Sequence, residues 1–279
     1  MTLVLKIGGA AGVDAHTTDI ARELAELIGQ GERVVLLHGG SDLTNRLCER
    51  LGLPVRTITS PEGMTSRYTD EETLRVYAMA VAGQINTELV ALLQGQGVNA
   101  LGLSGVDGRV LVARRKPAVR SLLTGGRVQI IRDDYTGRIV EVNAALLNQL
   151  LDSGYVPVLA PLALGTASER LNVDGDRAAA AVAAALHAEA LVILTNVPGL
   201  LASVDDPTTL LREIPARRLD DAFKYAQGRM RKKLLGAQEA ISGGVARVCI
   251  GNASLHALLN GAGTTIYNQV NTVLEEMMR

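Results

Sequence analysis

The chain has 279 residues, a formal net charge of −1 and 47% hydrophobic residues, with no tryptophan and one phenylalanine. Near-neutral charge excludes a protein devoted to nucleic acid or to membrane surfaces. A core of Ala, Val, Leu and Ile suits a parallel sheet with helices on both faces. At roughly 150 residues per domain the length allows two lobes. The 29 glycines cluster at strand ends, not in repeats. Cys48 and Cys249 are far apart and belong to no C-x-x-C, so they read as ordinary buried thiols of a reducing compartment. The first residues lack the apolar core of a signal peptide, and no apolar run approaches the ~20 residues that span a bilayer. The expectation is a soluble, cytoplasmic protein.

Leu3-Val4-Leu5 predicts a buried strand, followed by Lys6-Ile7-Gly8-Gly9-Ala10-Ala11-Gly12. Glycines let a backbone approach a ligand closely, and a lysine adds a compact positive charge. Together they suit an anion, phosphate above all. Taken alone, the stretch reads equally as a tight turn with a solvated lysine. Ile20, Leu24, Leu27 and Ile28 share one face of a helix over Thr17 to Ile28, ended by Gly29 and Gly31. Arg33 to Leu37 predicts a second strand, then His38-Gly39-Gly40-Ser41, then a helix through Leu43, Leu47 and Leu51. Strand, glycine loop and helix written twice predict α/β with parallel strands. In such sheets ligands lie beyond the carboxyl ends of the strands. The loops carry no G-x-x-x-x-G-K-S/T, no G-x-G-x-x-G and no protein-kinase set.

Thr57 to Asp70 reads as a loop or hairpin turning at Ser60-Pro61-Glu62-Gly63. Asp70 or Thr69 would cap a helix through Leu74, Val76, Tyr77 and Met79. Arg67, just before it, is either a surface arginine or a bidentate carboxylate clamp. A second helix, Ile85 to Leu93, leads into a strand and turn at Asn99 to Ser104. Val110 to Ala113 and Val128 to Ile131 flank Gly125-Gly126 and predict a projecting hairpin. Around it lie Arg109, Arg114, Arg115, Lys116, Arg120, Arg127, Arg132 and Arg138, against Asp107, Asp133 and Asp134. This is either a solvated face or a docking surface for an acidic partner. Asn143 to Leu151 predicts a helix, Val156 to Leu159 a strand, and Pro161 to Glu169 a lobe boundary.

Beyond it, Asn172, Asp174 and Asp176 lead into an Ala-rich helix, Ala178 to Leu186, apolar nearly all round and hence buried. Asp174 reads as its cap, and the three together as a candidate site floor. The strand Leu191 to Leu194 ends in a loop from Thr195 to Leu201. Gln227-Gly228-Arg229-Met230-Arg231-Lys232-Lys233 opens a helix through Leu234, Leu235, Ala237 and Ile241. Four basic residues there oppose the helix dipole, which a bound anion would relieve. Arg247 to Ile250 is one more strand, Gly261 to Ile266 closes the domain, and Asn271 to Arg279 reads as a helical tail. The fold class expected is α/β, a three-layer sandwich with a mainly parallel central sheet, in two lobes, 1–165 and 166–279.

Lys6-Ile7-Gly8-Gly9, His38-Gly39-Gly40, Arg67, Asn172-Val173-Asp174-Gly175-Asp176 and Gly228-Arg229-Met230 with Lys233 occur in this order. In this the chain resembles the amino acid kinase family, and most its acetylglutamate kinase branch, from Leu3 to about Ile266. It departs from ordinary members at Ala10-Ala11-Gly12, where asparagine, alanine and methionine are usual, and at Ser41-Asp42, where they carry a third glycine and a proline. Ser41 with Thr44-Asn45, Ser66-Arg67-Tyr68-Thr69-Asp70 and Asp134-Tyr135-Thr136-Gly137 instead resemble carrier-dependent members of the branch. Those phosphorylate α-aminoadipate hung from the C-terminal glutamate of a small acidic amino-group carrier protein, in lysine biosynthesis.

The resemblance implies transfer of the ATP γ-phosphoryl group to a side-chain carboxylate. It implies Lys6 and Lys233 flanking the moving group, Asp176 orienting both, and backbone N–H groups offered by Gly8, Gly9, Gly39 and Gly40. Arg67 and Asn172, with Gly39 and Gly40, would hold the substrate. Thr195, Asn196, Gly199, Leu200 and Met230 would hold the nucleotide, with Mg2+ on ATP oxygens and few protein ligands. A homodimer through the first lobe is implied too. Free N-acetylglutamate, carrier-bound glutamate alongside aminoadipate, and a non-catalytic sensor on the same fold remain the alternatives.

Overall fold

The two opening strand–loop–helix units form as the spacing predicts: β1 (Thr2–Ile7), α1 (Ala15–Gly29), β2 (Arg33–His38) and α2 (Ser41–Arg50). The computed structural model describes residues 1–8, 15–61, 63–123 and 127–268. Expectations placed on Gly9 to Gly12, on Gly125-Gly126 and on the 271–279 tail lie outside these residues. In α2 the buried residues are Thr44 and Cys48, not the expected leucines, and Leu51 stands 58% exposed. The helix starts directly after the glycine loop, and the Thr44 hydroxyl donates to the Gly40 carbonyl at 2.7 Å.

β3 (Thr57–Thr59) and β4 (Thr65–Arg67) pair antiparallel. Asp70 caps α3 (Glu71–Ala78), accepting from the Thr73 N–H at 2.9 Å. Two separate helices were expected here; α3 instead runs through a π-helical segment, Met79–Ile85, into α4 (Asn86–Gly95). At 25 residues with a mean hydropathy of 1.4 in its most apolar window, this helix has the length and composition to cross a bilayer. Its inner face is core: Leu74, Tyr77, Val81, Leu89 and Leu93 are buried.

After β5 (Ala100–Ser104) come β6 (Leu111–Arg115), β7 (Val119–Leu122), β8 (Val128–Ile131) and β9 (Gly137–Val142). The projecting hairpin is β7–β8, whereas β6, the strand expected to form it, pairs with β9. Then follow α5 (Ala144–Asp152), β10 (Val156–Ala160), β11 (Leu162–Gly165), β12 (Arg170–Asn172), α6 (Gly175–Ala185) and β13 (Ala190–Leu194). Pro161 to Glu169, the stretch expected as a boundary, holds β11 and the turn of a β11–β12 hairpin, with β11 parallel to β6. The chain closes with β14 (Glu213–Pro215), α7 (Leu219–Ala222), α8 (Gly228–Ser242), β15 (Arg247–Gly251), α9 (Leu255–Leu259) and β16 (Thr264–Tyr267).

One eight-stranded sheet, ordered β14-β16-β15-β13-β1-β2-β10-β5, runs through both halves, parallel except between β15 and β16. Alternation along β1 sorts the layers. Leu3 and Leu5 pack with Ile20, Leu24, Leu89 and Leu93 on one face. Val4 packs with Val182, Leu234 and Ala237 on the other. This is the three-layer sandwich expected. Lys6 continues the Val4 side, towards α6 and α8. A smaller sheet, β12-β11-β6-β9, brings Asn172 to the same region.

Candidate active site

A cleft of about 1040 Å3 opens at the carboxyl ends of β1, β2 and β13. Lys6, Gly8, Gly39, Gly40, Arg67, Asn172, Asp176, Thr195, Asn196, Gly199, Leu200, Met230 and Lys233 all line it. Gly9 lies outside the described residues.

At its floor Asp176, 7% exposed, sits between two ammoniums. Lys6 Nζ lies 2.7 Å from Oδ1 and Lys233 Nζ 3.1 Å from Oδ2. Each comes from a different element: the end of β1, the first turn of α6 and the second turn of α8. Asp174 caps α6, its carboxylate accepting from the N–H groups of Asp176 at 3.0 Å and Arg177 at 3.2 Å. Gly236 lets α8 lie against that first turn, because a Cβ there would stand 3.1 Å from the Asp176 carbonyl oxygen. Burial alone would raise the Asp176 carboxyl, but the two ammoniums outweigh it and hold it at about 2. Burial, then the charge of Lys6, push the Lys233 ammonium below its ordinary range. Two cations on one carboxylate leave a buried positive excess, which is costly until an anion joins it.

The glycine loops are shaped by close packing. At Gly8 a Cβ would stand 3.2 Å from the Leu194 carbonyl oxygen, and at Gly40 one would stand 2.3 Å from Val81 Cγ1. Gly40 is extended, with φ −171°, so it is space that requires glycine there. Gly39 departs from expectation: its N–H already donates to the Ile7 carbonyl at 3.1 Å, because the β1–β2 ladder continues past His38. His38 is 1% exposed and has a role the sequence reading missed. The Asn86 amide donates to its Nε2 at 3.2 Å and to the Val158 carbonyl at 2.9 Å. Nδ1–H is then left to donate to the Gly39 carbonyl at 2.8 Å. Burial lowers the His38 pKa to about 4, so the ring is neutral. Its place directly before the glycines was the available signal.

On the acceptor side, Arg67 donates to the Ser41 carbonyl at 2.9 Å, and burial lowers its guanidinium pKa. The Asn172 amide donates to the Thr69 hydroxyl at 2.9 Å. Behind it Asp134, fully enclosed, accepts from the Thr69 N–H at 2.8 Å and from the Thr136 N–H and hydroxyl. The Tyr68 hydroxyl donates to Asp133 at 2.5 Å. So the two patterns that set the chain apart, around Arg67 and around Asp134, are one hydrogen-bonded unit that holds Asn172. On the other wall, Gly199 has φ +152°, and a Cβ there would stand 2.5 Å from the Thr264 hydroxyl. The Leu200 N–H donates to that hydroxyl at 2.8 Å, while the Leu200 side chain packs in the core. Among the described residues no group of three His, Cys, Asp or Glu side chains could hold a metal.

The amino acid kinase family model matches residues 1–252. The chain is 48% identical to a LysW-aminoadipate kinase of Deinococcus radiodurans, over 95% of this chain and 91% of that one. It is 47% identical to a LysW-aminoadipate kinase of Thermus thermophilus, over 95% and 99%. Among solved structures, smu.665 from Streptococcus mutans UA159 superposes with a TM-score of 0.77 at 25% identity, covering 95% of this chain and 98% of that one. The chain belongs to the amino acid kinase family.

Proposed function

We propose that this protein uses ATP to phosphorylate the side-chain carboxylate of α-aminoadipate carried on a small acidic amino-group carrier protein, a step of lysine biosynthesis. The observation that carries the reading is the buried Lys6–Asp176–Lys233 group, with its positive excess at the cleft floor. Similarity to two LysW-aminoadipate kinases over 95% of the chain supports the substrate.

The acceptor carboxylate is ionised at neutral pH, so no base is needed to activate it. Its oxygen attacks the γ-phosphorus, the bond to the β–γ bridging oxygen breaks, and ADP leaves with that electron pair. The obstacle is bringing an anion against a polyanion, which calls for positioning and charge stabilisation. Lys6 and Lys233 flank the moving group and Asp176 holds them apart. Gly8 and Gly40 offer backbone N–H groups, with Gly9 the expected third. Arg67 binds the α-carboxylate and Asn172 the amide link. Thr195, Asn196, Gly199 and Met230 face the nucleotide, with Leu200 packed beneath. Residues 1–165, joined by Asn172 from β12, carry the acceptor side, and the rest of 166–279 the nucleotide side.

The lack, among the described residues, of any cluster of three metal-ligating side chains fits a magnesium ion held mainly by nucleotide oxygens and water. When bound, magnesium offsets phosphate charge. Exposed Arg114, Arg120, Arg127, Arg132 and Arg138 give the acidic carrier its docking surface. Exposed Leu122, Leu123, Val128 and Ile130 add apolar area to it. The protein is a cytoplasmic homodimer paired through the first lobe.

The test offers ATP with carrier-linked aminoadipate, carrier-linked glutamate and free N-acetylglutamate, trapping acyl phosphate with hydroxylamine. The highest kcat/KM is expected for carrier-linked aminoadipate. A preference for N-acetylglutamate would overturn the reading. Comparable use of carrier-linked glutamate would widen it, since one methylene is worth only about 1–3 kcal/mol.

A further inference from the structure

We propose that Lys116 binds a carboxylate that only a carrier-linked substrate possesses, the one left free on the carrier's terminal glutamate. The inference rests on the substrate reading above and adds a specificity residue to it.

Lys116, Thr136 and Asn172 form a row across three adjacent strand segments. The Lys116 N–H donates to the Thr136 carbonyl at 3.1 Å, and Thr136 is bridged to Asn172. Bridged neighbours project side chains from one face of a sheet, and all three line the cleft. Two strand spacings of about 4.8 Å put the Lys116 backbone roughly 10 Å from that of Asn172. A flexible four-carbon stem covers much of that gap.

Three of the neighbouring cations are engaged. Arg115 stacks 3.7 Å from the Tyr135 ring centre and donates to the Asp134 carbonyl at 2.9 Å. Arg177 chelates Glu239, with Nε 2.9 and 3.1 Å from its two oxygens. Lys232 lies 3.6 Å from Asp174. Of the cations lining the cleft, Lys116 and Arg138 have no side-chain ion pair or hydrogen bond among the described residues, and Lys116 is the one that stands opposite Thr136 in the row with Asn172. Burial lowers its pKa; the charge of Asp134 opposes that, and the charges of Arg177 and Lys232 add to it. Lys116 is thus an exposed cation on the cleft wall, in the field of Asp134 and Asp174 but with no ion pair to either among the described residues.

The substrate's chemistry supplies a partner for it. The acceptor carboxylate goes to the lysine pair, the α-carboxylate to Arg67 and the amide to Asn172. A C-terminal glutamate has two carboxyl groups; the amide link uses one, and the other stays ionised at neutral pH. It lies a few bonds beyond the amide, away from the lysine pair. An N-acetylated amino acid has only a methyl group there. Lys116 therefore favours the carrier-linked compound through the substrate itself, separately from any docking of the carrier body.

The experiment compares two carrier-linked aminoadipates, made by ligating the terminal residue, with the remaining glutamate carboxylate free or as its methylamide. Wild type should prefer the free carboxylate by at least 10-fold in kcat/KM, mostly through KM. Lys116→Met should bring the ratio close to 1, and Lys116→Arg should restore most of it. A wild-type ratio near 1, an unchanged ratio in Lys116→Met, or an equal loss on both compounds would overturn the assignment. If wild type turns over N-acetylglutamate but neither carrier-linked compound, the substrate reading falls and takes this inference with it.

Discussion

Asp176 is a single carboxylate shared by two buried ammoniums, and that imbalance has measurable consequences. Lys6→Ala and Lys233→Ala should each lower kcat by about 10²–10³, the range for one preorganised charge-stabilising group, with smaller effects on the KM for ATP. Each leaves Asp176 paired with the other lysine, so folding should survive. Asp176→Ala strands two ammoniums and should cost about 3–5 kcal/mol in urea unfolding. Near-full turnover in Lys233→Ala would sink the two-lysine proposal.

His38 contributes a second, pH-dependent signature. Its folded pKa lies near 4 against an ordinary 6.5, so between those values the unfolded chain takes a proton that the folded chain refuses. Its stabilisation is complete above pH 6.5 and fades as pH falls to 4, by about 3 kcal/mol. Asp176, held at about 2 against 3.8, continues the loss below pH 4. Urea melts from pH 7 to 4.5 should show the upper limb in wild type and a flatter one in His38→Asn. Equal slopes in both would remove His38 as its source.

Among elements, the basic region separates into structural and free arginines. Arg115 is internal, stacked on Tyr135 and bonded to the Asp134 carbonyl, while Arg114, one residue earlier on β6, points to solvent. Arg114→Glu with Arg132→Glu should raise the KM for the carrier-linked substrate at least 10-fold at low salt and leave the KM for ATP alone. The gap should narrow as ionic strength rises. Arg115→Glu should instead lower the melting temperature, because it removes the contacts holding the Asp134 turn behind Asn172. An unaltered KM in the double reversal would eliminate docking on this face. The π-helical segment belongs to the same scale. It sets Val81 and Ile85 beneath Gly40 and delivers Asn86 to His38. Nothing in its apolar periodicity distinguishes it from ordinary helix, since a π turn shifts the phase only locally. The β7–β8 pairing was equally illegible: β-rich runs announce strands, but the partner of β6 is chosen by packing of the smaller sheet.

At the scale of the whole molecule, a single sheet passes through both halves, with β1 between β13 and β2. Unfolding followed by far-ultraviolet dichroism and by tyrosine fluorescence should therefore give one coincident transition, shifted upward by ATP through mass action. Two separated transitions would show that the halves fold as independent units. The amino-acid sequence by itself determined the order of strand–glycine loop–helix units, the three-layer class and the residue types of the anion site. Those properties are local: periodicity, caps and the steric freedom of glycine act within a few residues of where they are written. It could not determine that Lys6, Asp176 and Lys233 share one charge, that Gly39 has already spent its N–H, or that the Arg67 and Asp134 segments jointly hold Asn172. Lys233 and Asp176 stand 57 positions apart, and Asn172 and Thr69 stand 103 apart. Such pairs meet only once the sheet has closed and α8 has settled on α6, because burial and charge proximity are properties of the packed interior.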